Sequence, residues 1–305
     1  MEILIKDLKI KKRLNDDDIT DLKLIFKNTK KIEKLDKLTN LTCLNLLENK
    51  IIEIEGLENL SKLTELILRQ NEIKKIKNLE NLINLTYLDL ARNQILEING
   101  LENLVNLQHL NLSSNKIKKI NGLENLVNLQ YLNLSSNKIK KINGIEKLTN
   151  LTYLDLSLNK IKKIEGLDNL LNLRCLDLAC NKIEKIEGLY NLNNLVCLEL
   201  TKNQIAKIKG LENLVNLREL VLYGNMVRKI EGLDNLVNLA ILDLTSNQIK
   251  KIEKILHLKR LNRFYYHPNP IRYIAPHIRR FIERIYNYGS IYGSLYQNNQ
   301  SVHDS

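Results

Sequence analysis

Histidine, cysteine, glycine, tyrosine and carboxylate side chains are the groups through which this sequence could do chemistry, and their spacing decides what they can do. His109 has no serine, cysteine or carboxylate at a catalytic spacing, so general-base work lacks a partner and a surface contact is expected. Cys175 and Cys180 lie five apart, and Cys197 follows Cys175 at a 22-residue interval. No CxxC or HExxH occurs, so neither a metal centre nor a redox motif is expected. Cys175 and Cys197 should stand side by side on adjacent strands, within disulfide reach, yet reduced thiols are the expectation. Most glycines recur at the same 22-residue interval, which suits separate turns and not a phosphate-cradling loop. Glycosylation-like triplets such as Asn111-Leu-Ser and Asn150-Leu-Thr recur as part of a repeat. No enzyme activity, cofactor or metal is expected.

Tyrosines and carboxylates fall into rows that keep this interval. One row reads Tyr87, His109, Tyr131, Tyr153, Cys175, Cys197, Glu219 and Ile241. Two positions on, a second reads Asp89, Asn111, Asn133, Asp155, Asp177, Glu199, Val221 and Asp243. A third row is mostly small, from Ala91 and Ser113 to Thr201, and then Tyr223. Aromatic side chains above acids and amides, with small residues beside them, are what a protein-binding surface uses as anchors. The candidate partner-binding residues are Tyr87, Asp89, His109, Tyr131, Tyr153, Asp155, Asp177, Glu199, Val221, Tyr223 and Ile241.

The elements that must position these rows follow from internal repetition. From Leu41, a 22-residue unit of the form LxxLxLxxNxIxxIxGLxxLxN occurs ten times. Counting Leu41 as position one, the leucines at positions four and six share one side of a short strand, and positions three, five and seven take the other. Stacking one strand per unit predicts a parallel sheet. Asparagine at position nine can donate and accept where the chain turns off the sheet. Glycine at position sixteen of eight repeats, replaced by Asn78 in the second, marks a site of positive φ. The Leu-x-x-Leu that follows, as in Leu123 and Leu126, has helical spacing and predicts a turn or two of helix or 3-10 helix. Seven apolar positions per unit point inward.

The unit resembles the leucine-rich-repeat superfamily over roughly residues 19 to 290. The stretch KIxGLENLxNL, at Lys119 to Leu129, is similar to intracellular regulators of type-one protein phosphatase. Secreted bacterial internalins share the 22-residue period, but theirs typically carry DIxPL where this chain has KIxGL. The resemblance implies an α/β solenoid. Its expected form is a curved right-handed superhelix with a concave parallel sheet, short helical or 3-10 convex segments and a cap at each end. It also implies a protein partner, with a phosphatase among the candidates.

The ends depart from the unit. Residues 1–40 are expected to form an N-terminal cap and a degenerate repeat, with Lys27 where asparagine belongs. Residues 41–260 hold the ten repeats. Residues 261–290 make a C-terminal cap that opens at Asn269-Pro270, with a helix from Pro276 that buries Ile278, Phe281, Ile282 and Ile285. Residues 291–305 are expected to be a flexible tail.

The net charge of +12 comes from 35 lysines and 12 arginines against 35 acids. Much of it falls at position thirteen, where Lys119, Lys141, Lys163, Lys185 and Lys207 make a basic flank. Glu165, Glu187, Glu231 and Glu253 follow two positions after a lysine of that row and partly compensate it. A solvated face is the expected role, and docking of nucleic acid or an anionic membrane is the alternative. The segment from Met1 to Arg13 lacks the uninterrupted apolar stretch of a signal peptide, and no window could span a membrane. An intracellular monomer, cytoplasmic or nuclear, is expected.

Overall fold

The computed structural model describes residues 15–33 and 35–289. Its first strands are β1 (Asp21–Lys23), β2 (Cys43–Asn45), β3 (Glu65–Ile67), β4 (Tyr87–Asp89), β5 (His109–Asn111) and β6 (Tyr131–Asn133). They continue as β7 (Tyr153–Asp155), β8 (Cys175–Asp177), β9 (Cys197–Glu199), β10 (Glu219–Val221) and β11 (Ile241–Asp243). After β12 (Lys251–Ile252) come β13 (Arg263–Tyr265), β14 (Tyr273–Ile274) and the helix α1 (Pro276–Gly289). Strands β1 to β11 and β13 form one 12-stranded sheet in chain order. Each pairs in parallel with the next, offset by one whole repeat, as in Tyr131 with Tyr153 and Cys175 with Cys197. Strands β12 and β14 make a separate two-stranded pair near the C-terminal end.

The constant register follows from what each repeat buries. In the unit beginning at Leu107, residues Leu107, Leu110, Leu112, Ile117, Ile120, Leu123 and Leu126 are fully buried. All seven positions recur in the neighbouring turns, so one aliphatic column runs the length of the solenoid. Each such side chain contributes about 1.5–3 kcal/mol on removal from water. A slip of one residue would turn the leucines of a strand outward, so the register is strongly specified.

Polar side chains close the turns. Asn115 donates from Nδ2 to the Leu90 oxygen of the preceding turn (3.0 Å) and to Leu112 (3.1 Å). The Ile95 amide in turn donates to Asn115 Oδ1 at 2.9 Å. The same pattern runs from Asn71 to Asn269, so this side chain ties each turn to the one before it. Where asparagine is missing, at Lys27, the ladder simply ends: Asn49 Oδ1 accepts from the Lys27 and Thr29 amides.

The expected short helices on the side opposite the sheet are not formed. The Leu104 amide bonds the Leu101 oxygen, and the Leu107 amide bonds the Leu104 oxygen, each at 3.0 Å. These are two successive tight turns, each starting where the last ends. The three-residue spacing of Leu101, Leu104 and Leu107 disfavours an α-helix, which at 3.6 residues per turn would rotate them off the core they all face. Among the described residues the helical elements are the 3-10 turn at Asp16–Asp18 and α1, whose Ile278, Phe281, Ile282 and Ile285 join the core. The tail expected at 291–305 lies outside the described residues.

Candidate functional site

The three rows singled out in the sequence share the outer face of the sheet. Burial alternates along each strand, with the central leucine inside and its neighbours at least partly exposed in most repeats. Because adjacent strands pair without offset, position three becomes a column of side chains one strand spacing apart, about 4.8 Å. Tyr87, His109, Tyr131 and Tyr153 stack in that column. Their ring centroids are 5.9, 5.6 and 4.6 Å apart, and the interplanar angle narrows from 29° through 22° to 4°. His109 is thus held between two phenol rings. Below Tyr153 the column continues with Cys175 and Cys197, which face each other as free thiols. The Cys197 thiol lies 3.8 Å from Glu219 Oε2, and burial first, then nearby carboxylates, push its pKa up.

Position five has a structural duty that its sequence did not disclose. The Ala91 amide donates to Asp89 Oδ1 at 2.8 Å, and the Ala179 amide to Asp177 Oδ1 at 2.9 Å. Ser157 reaches Asp155 Oδ1 with both its amide (2.9 Å) and its hydroxyl (2.7 Å). The Thr201 and Thr245 amides likewise donate to Glu199 Oε1 (2.7 Å) and Asp243 Oδ1 (2.8 Å). These acids therefore cap the strand end two positions on. Asn111 and Asn133 make the same bond without a charge, so the turn needs the oxygen and not the anion.

The charge is present at a cost. Burial raises the Asp177 carboxyl to about 6, against the Ala179 amide, which lowers it, with Asp155 adding a smaller upward push. Burial likewise raises Glu199 to about 7, opposed by Thr201 and reinforced by Asp177 and Glu219. Asp89 also rises through burial. Tyr87 and Tyr153 are raised in turn, by burial first and then by the acids beside them. Towards the C-terminal end the face becomes apolar at Val221 and Ile241, and Lys202 Nζ lies 6.0 Å from the Tyr223 ring centroid.

Lys119, Lys141, Lys163, Lys185 and Lys207 are all exposed, on the segment after the strand. None makes an ion pair among the described residues. The compensation expected from the glutamates two positions on forms only at Lys251 with Glu253, 3.8 Å apart. A Lys77–Glu53 pair at 2.8 Å joins adjacent turns. No group of three or more metal-binding side chains occurs among the described residues. None of the described helices is long and apolar enough to cross a membrane.

Two further rows escaped sequence reasoning. Asparagines at position 22, among them Asn150, Asn172, Asn194, Asn216 and Asn238, stand along one rim of the sheet. Each donates from Nδ2 to a main-chain oxygen of the preceding turn, at 2.8–2.9 Å. Beside them run the residues of position two, Gln130, Thr152, Arg174, Val196 and Arg218. The signal was available in the constancy of the asparagine.

Comparison with known proteins covers most of the solenoid. A family profile described as leucine-rich repeats (2 copies) matches residues 61–103, 105–147, 127–169, 149–191, 171–213, 193–236 and 215–260. Among curated proteins, none matches the chain. An internalin (inlF) of Listeria monocytogenes is similar at 30% identity and a TM-score of 0.68, over 85% of this chain and 87% of that one. Internalin C2 (inlC2) of the same organism is 33% identical, with a TM-score of 0.56, over 59% of this chain and 80% of its own. TLR13, solved as a complex with ssRNA13, is 28% identical with a TM-score of 0.65, over 75% of this chain and 37% of that one.

Proposed function

Because the chain belongs to the leucine-rich-repeat family, we propose that it is a non-enzymatic interaction scaffold whose outer strand face grips a partner protein. One observation carries this reading. Positions three, five and seven of the ten full repeats hold seven carboxylates and one arginine, Arg69, in a chain of net charge +12. Stacking explains the leucines, the position-nine asparagines and the glycines, and it leaves this charge and the aromatic column unexplained. Asn111 and Asn133 show that the cap works uncharged. Anions held on a half-buried face at an electrostatic cost, next to stacked phenols, suit a partner that brings cations and a flat apolar surface. The cost is recovered when the partner excludes water and pairs the charge.

The similarity of the Lys119–Leu129 unit to phosphatase regulators makes a type-one phosphatase catalytic subunit the first partner to test. The free thiols at Cys43, Cys175, Cys180 and Cys197 support an intracellular setting. The decisive variant combines Asp155→Asn, Asp177→Asn and Glu199→Gln, which keeps every capping oxygen and removes three ionisable carboxyls. Affinity capture from native extract should lose the partner with this variant. Retention of the same partner at the same yield, by a variant that still unfolds cooperatively, would refute the assignment.

A second reading rests on the unpaired lysines of the flank, from Lys119 to Lys207. Association with nucleic acid or anionic vesicles through them would weaken steeply as salt rises. Salt-independent binding, or none, removes it.

A further inference from the structure

The asparagine rim encloses a groove that neither stacking nor the strand face accounts for. Its main section, of about 730 Å³, is lined by Gln130, Thr152, Val196, the asparagines from Asn150 to Asn238, and three arginines. A second section of about 520 Å³ shares Gln130 and Asn150 and continues it towards Asn84 with neutral amides and Thr86. Arg174, Arg218 and Arg260 are exposed. No carboxylate lines the main section, and none pairs with these arginines among the described residues.

Two spacings describe what could lie in it. Arg174 and Arg218 belong to alternate turns, and Arg260 stands at the level of the next alternate one. At about 4.8 Å per strand, the main-chain levels that carry these arginines recur every ~9.6 Å along the axis. Between them Val196 is short, and Ala240 occupies the corresponding place one turn before the end, so the intervening levels are open. The asparagine amides recur at every level from Asn150 to Asn238, and Arg260 takes the asparagine's place at the last level. Each is fixed by its Nδ2 bond to the preceding turn, and no described residue donates to the Oδ1 of Asn150, Asn172, Asn194, Asn216 or Asn238. The groove therefore offers forked cations at every second level and a row of oriented acceptors at each level up to Asn238.

We propose that this groove binds an extended acidic peptide in the polyproline II conformation, with a carboxylate at every third residue. That helix has three residues per turn and rises ~3.1 Å per residue, so acids at i, i+3 and i+6 project from one side every ~9.3 Å. The step is close to the ~9.6 Å spacing of the levels that carry the arginines. Its main chain forms no internal hydrogen bonds, so its amide N–H groups are free to meet the asparagine oxygens. A β-strand repeats on one side every ~6.7 Å and falls out of phase after one arginine. An α-helix satisfies its own N–H groups and would leave the acceptors empty. A single-stranded nucleic acid would bind by stacking its bases on aromatic rings, and no aromatic residue lines the groove. Arginine also suits bidentate grip on carboxylates better than lysine would.

The site lies on other rows of the repeat than the aromatic column and the strand-face acids. It therefore stands or falls separately from the reading above. The test uses the full chain and a fluorescent nine-residue peptide of three Glu-Pro-Gln triplets, followed by anisotropy. A control peptide of the same composition places the glutamates at every second position. A third probe is labelled oligouridylate.

The triplet peptide should bind, the control should bind more weakly, and Arg174→Ala with Arg218→Ala and Arg260→Ala should weaken the triplet peptide about tenfold. Lys119→Ala with Lys141→Ala and Lys163→Ala should leave it unchanged. Equal binding of the control peptide would show that charge alone is read, and would overturn the proposal. So would a triple arginine variant that binds unchanged, or oligouridylate that displaces the peptide from the arginines. Absence of any peptide binding overturns it as well.

Discussion

Asn78 donates its side-chain amide to the main-chain oxygen of Ile54, 2.7 Å away, in the second full repeat, where it replaces the glycine of position sixteen. That oxygen belongs to the row that forbids larger residues elsewhere. A Cβ at Gly100 would lie 2.6 Å from the equivalent oxygen of Ile76, with φ at +85°. Asn78 sits at φ +59° and turns the crowding oxygen into a hydrogen-bond acceptor.

Gly100→Ala should therefore cost about 2 kcal/mol or more, because alanine brings both the left-handed penalty and the clash. Gly100→Asn should cost distinctly less. Urea unfolding of the two variants checks the order, and a less stable asparagine variant would contradict the explanation.

Glu199 makes a pH prediction. Its folded-state pKa of about 7 is above the ordinary carboxylate value, so the folded protein favours the neutral acid. The stability it contributes is full below the unfolded value and is lost as pH rises through 7. Glu199→Gln keeps the oxygen that Thr201 binds and removes the charge. The variant should gain about 1–2 kcal/mol over wild type at pH 8 and nothing near pH 4. Thermal melts at the two pH values decide it, and a gain of equal size at both would refute the cause.

Asp177, raised to about 6, moves in the same direction. A cationic partner on the strand face should bind more tightly as pH rises from 5 to 8, with the steepest change between 6 and 7. Affinity that stays flat over this range would mean that these two carboxyls are not at the interface.

Cys197 faces Cys175 but is a poor nucleophile, because burial and the neighbouring acids keep it protonated. Cys43, pushed up to about 11, shares that protection for the same leading reason, with Glu65 and Asp21 as its acids. Iodoacetamide at pH 8 should label Cys197 at least tenfold faster once the protein is unfolded in urea. Peptide mapping after timed alkylation measures this, and equal rates would show an open, ionised thiol.

Most of the fold was legible because its key positions hardly vary. Seven aliphatic positions, one asparagine and one glycine recur with so few exceptions that Leu107 could be placed in the core, and Asn78 read as a glycine substitute, from letters alone. The convex turns were not legible: leucines three apart, as at Leu101, Leu104 and Leu107, fit a 3-10 helix and a chain of tight turns equally. The strand-face rows were visible as rows. The capping duty of Asp89 or Asp155 was not, because a carboxylate that holds its own backbone and one that awaits a partner are the same letter. Arg174, Arg218 and Arg260 escaped for another reason: they align only when turns are counted in pairs, and Arg260 reaches their level from a different position of the unit.

Side chains at equivalent positions of successive repeats are neighbours everywhere along the 12-stranded sheet. Geometry here is indifferent to how many units there are. A duplicated or deleted unit inside the run would reseal the asparagine ladder and the leucine column without a seam, and would shift every outward residue by one place. The scaffold can thus change its length and its message independently, like type set in a tray of equal slots.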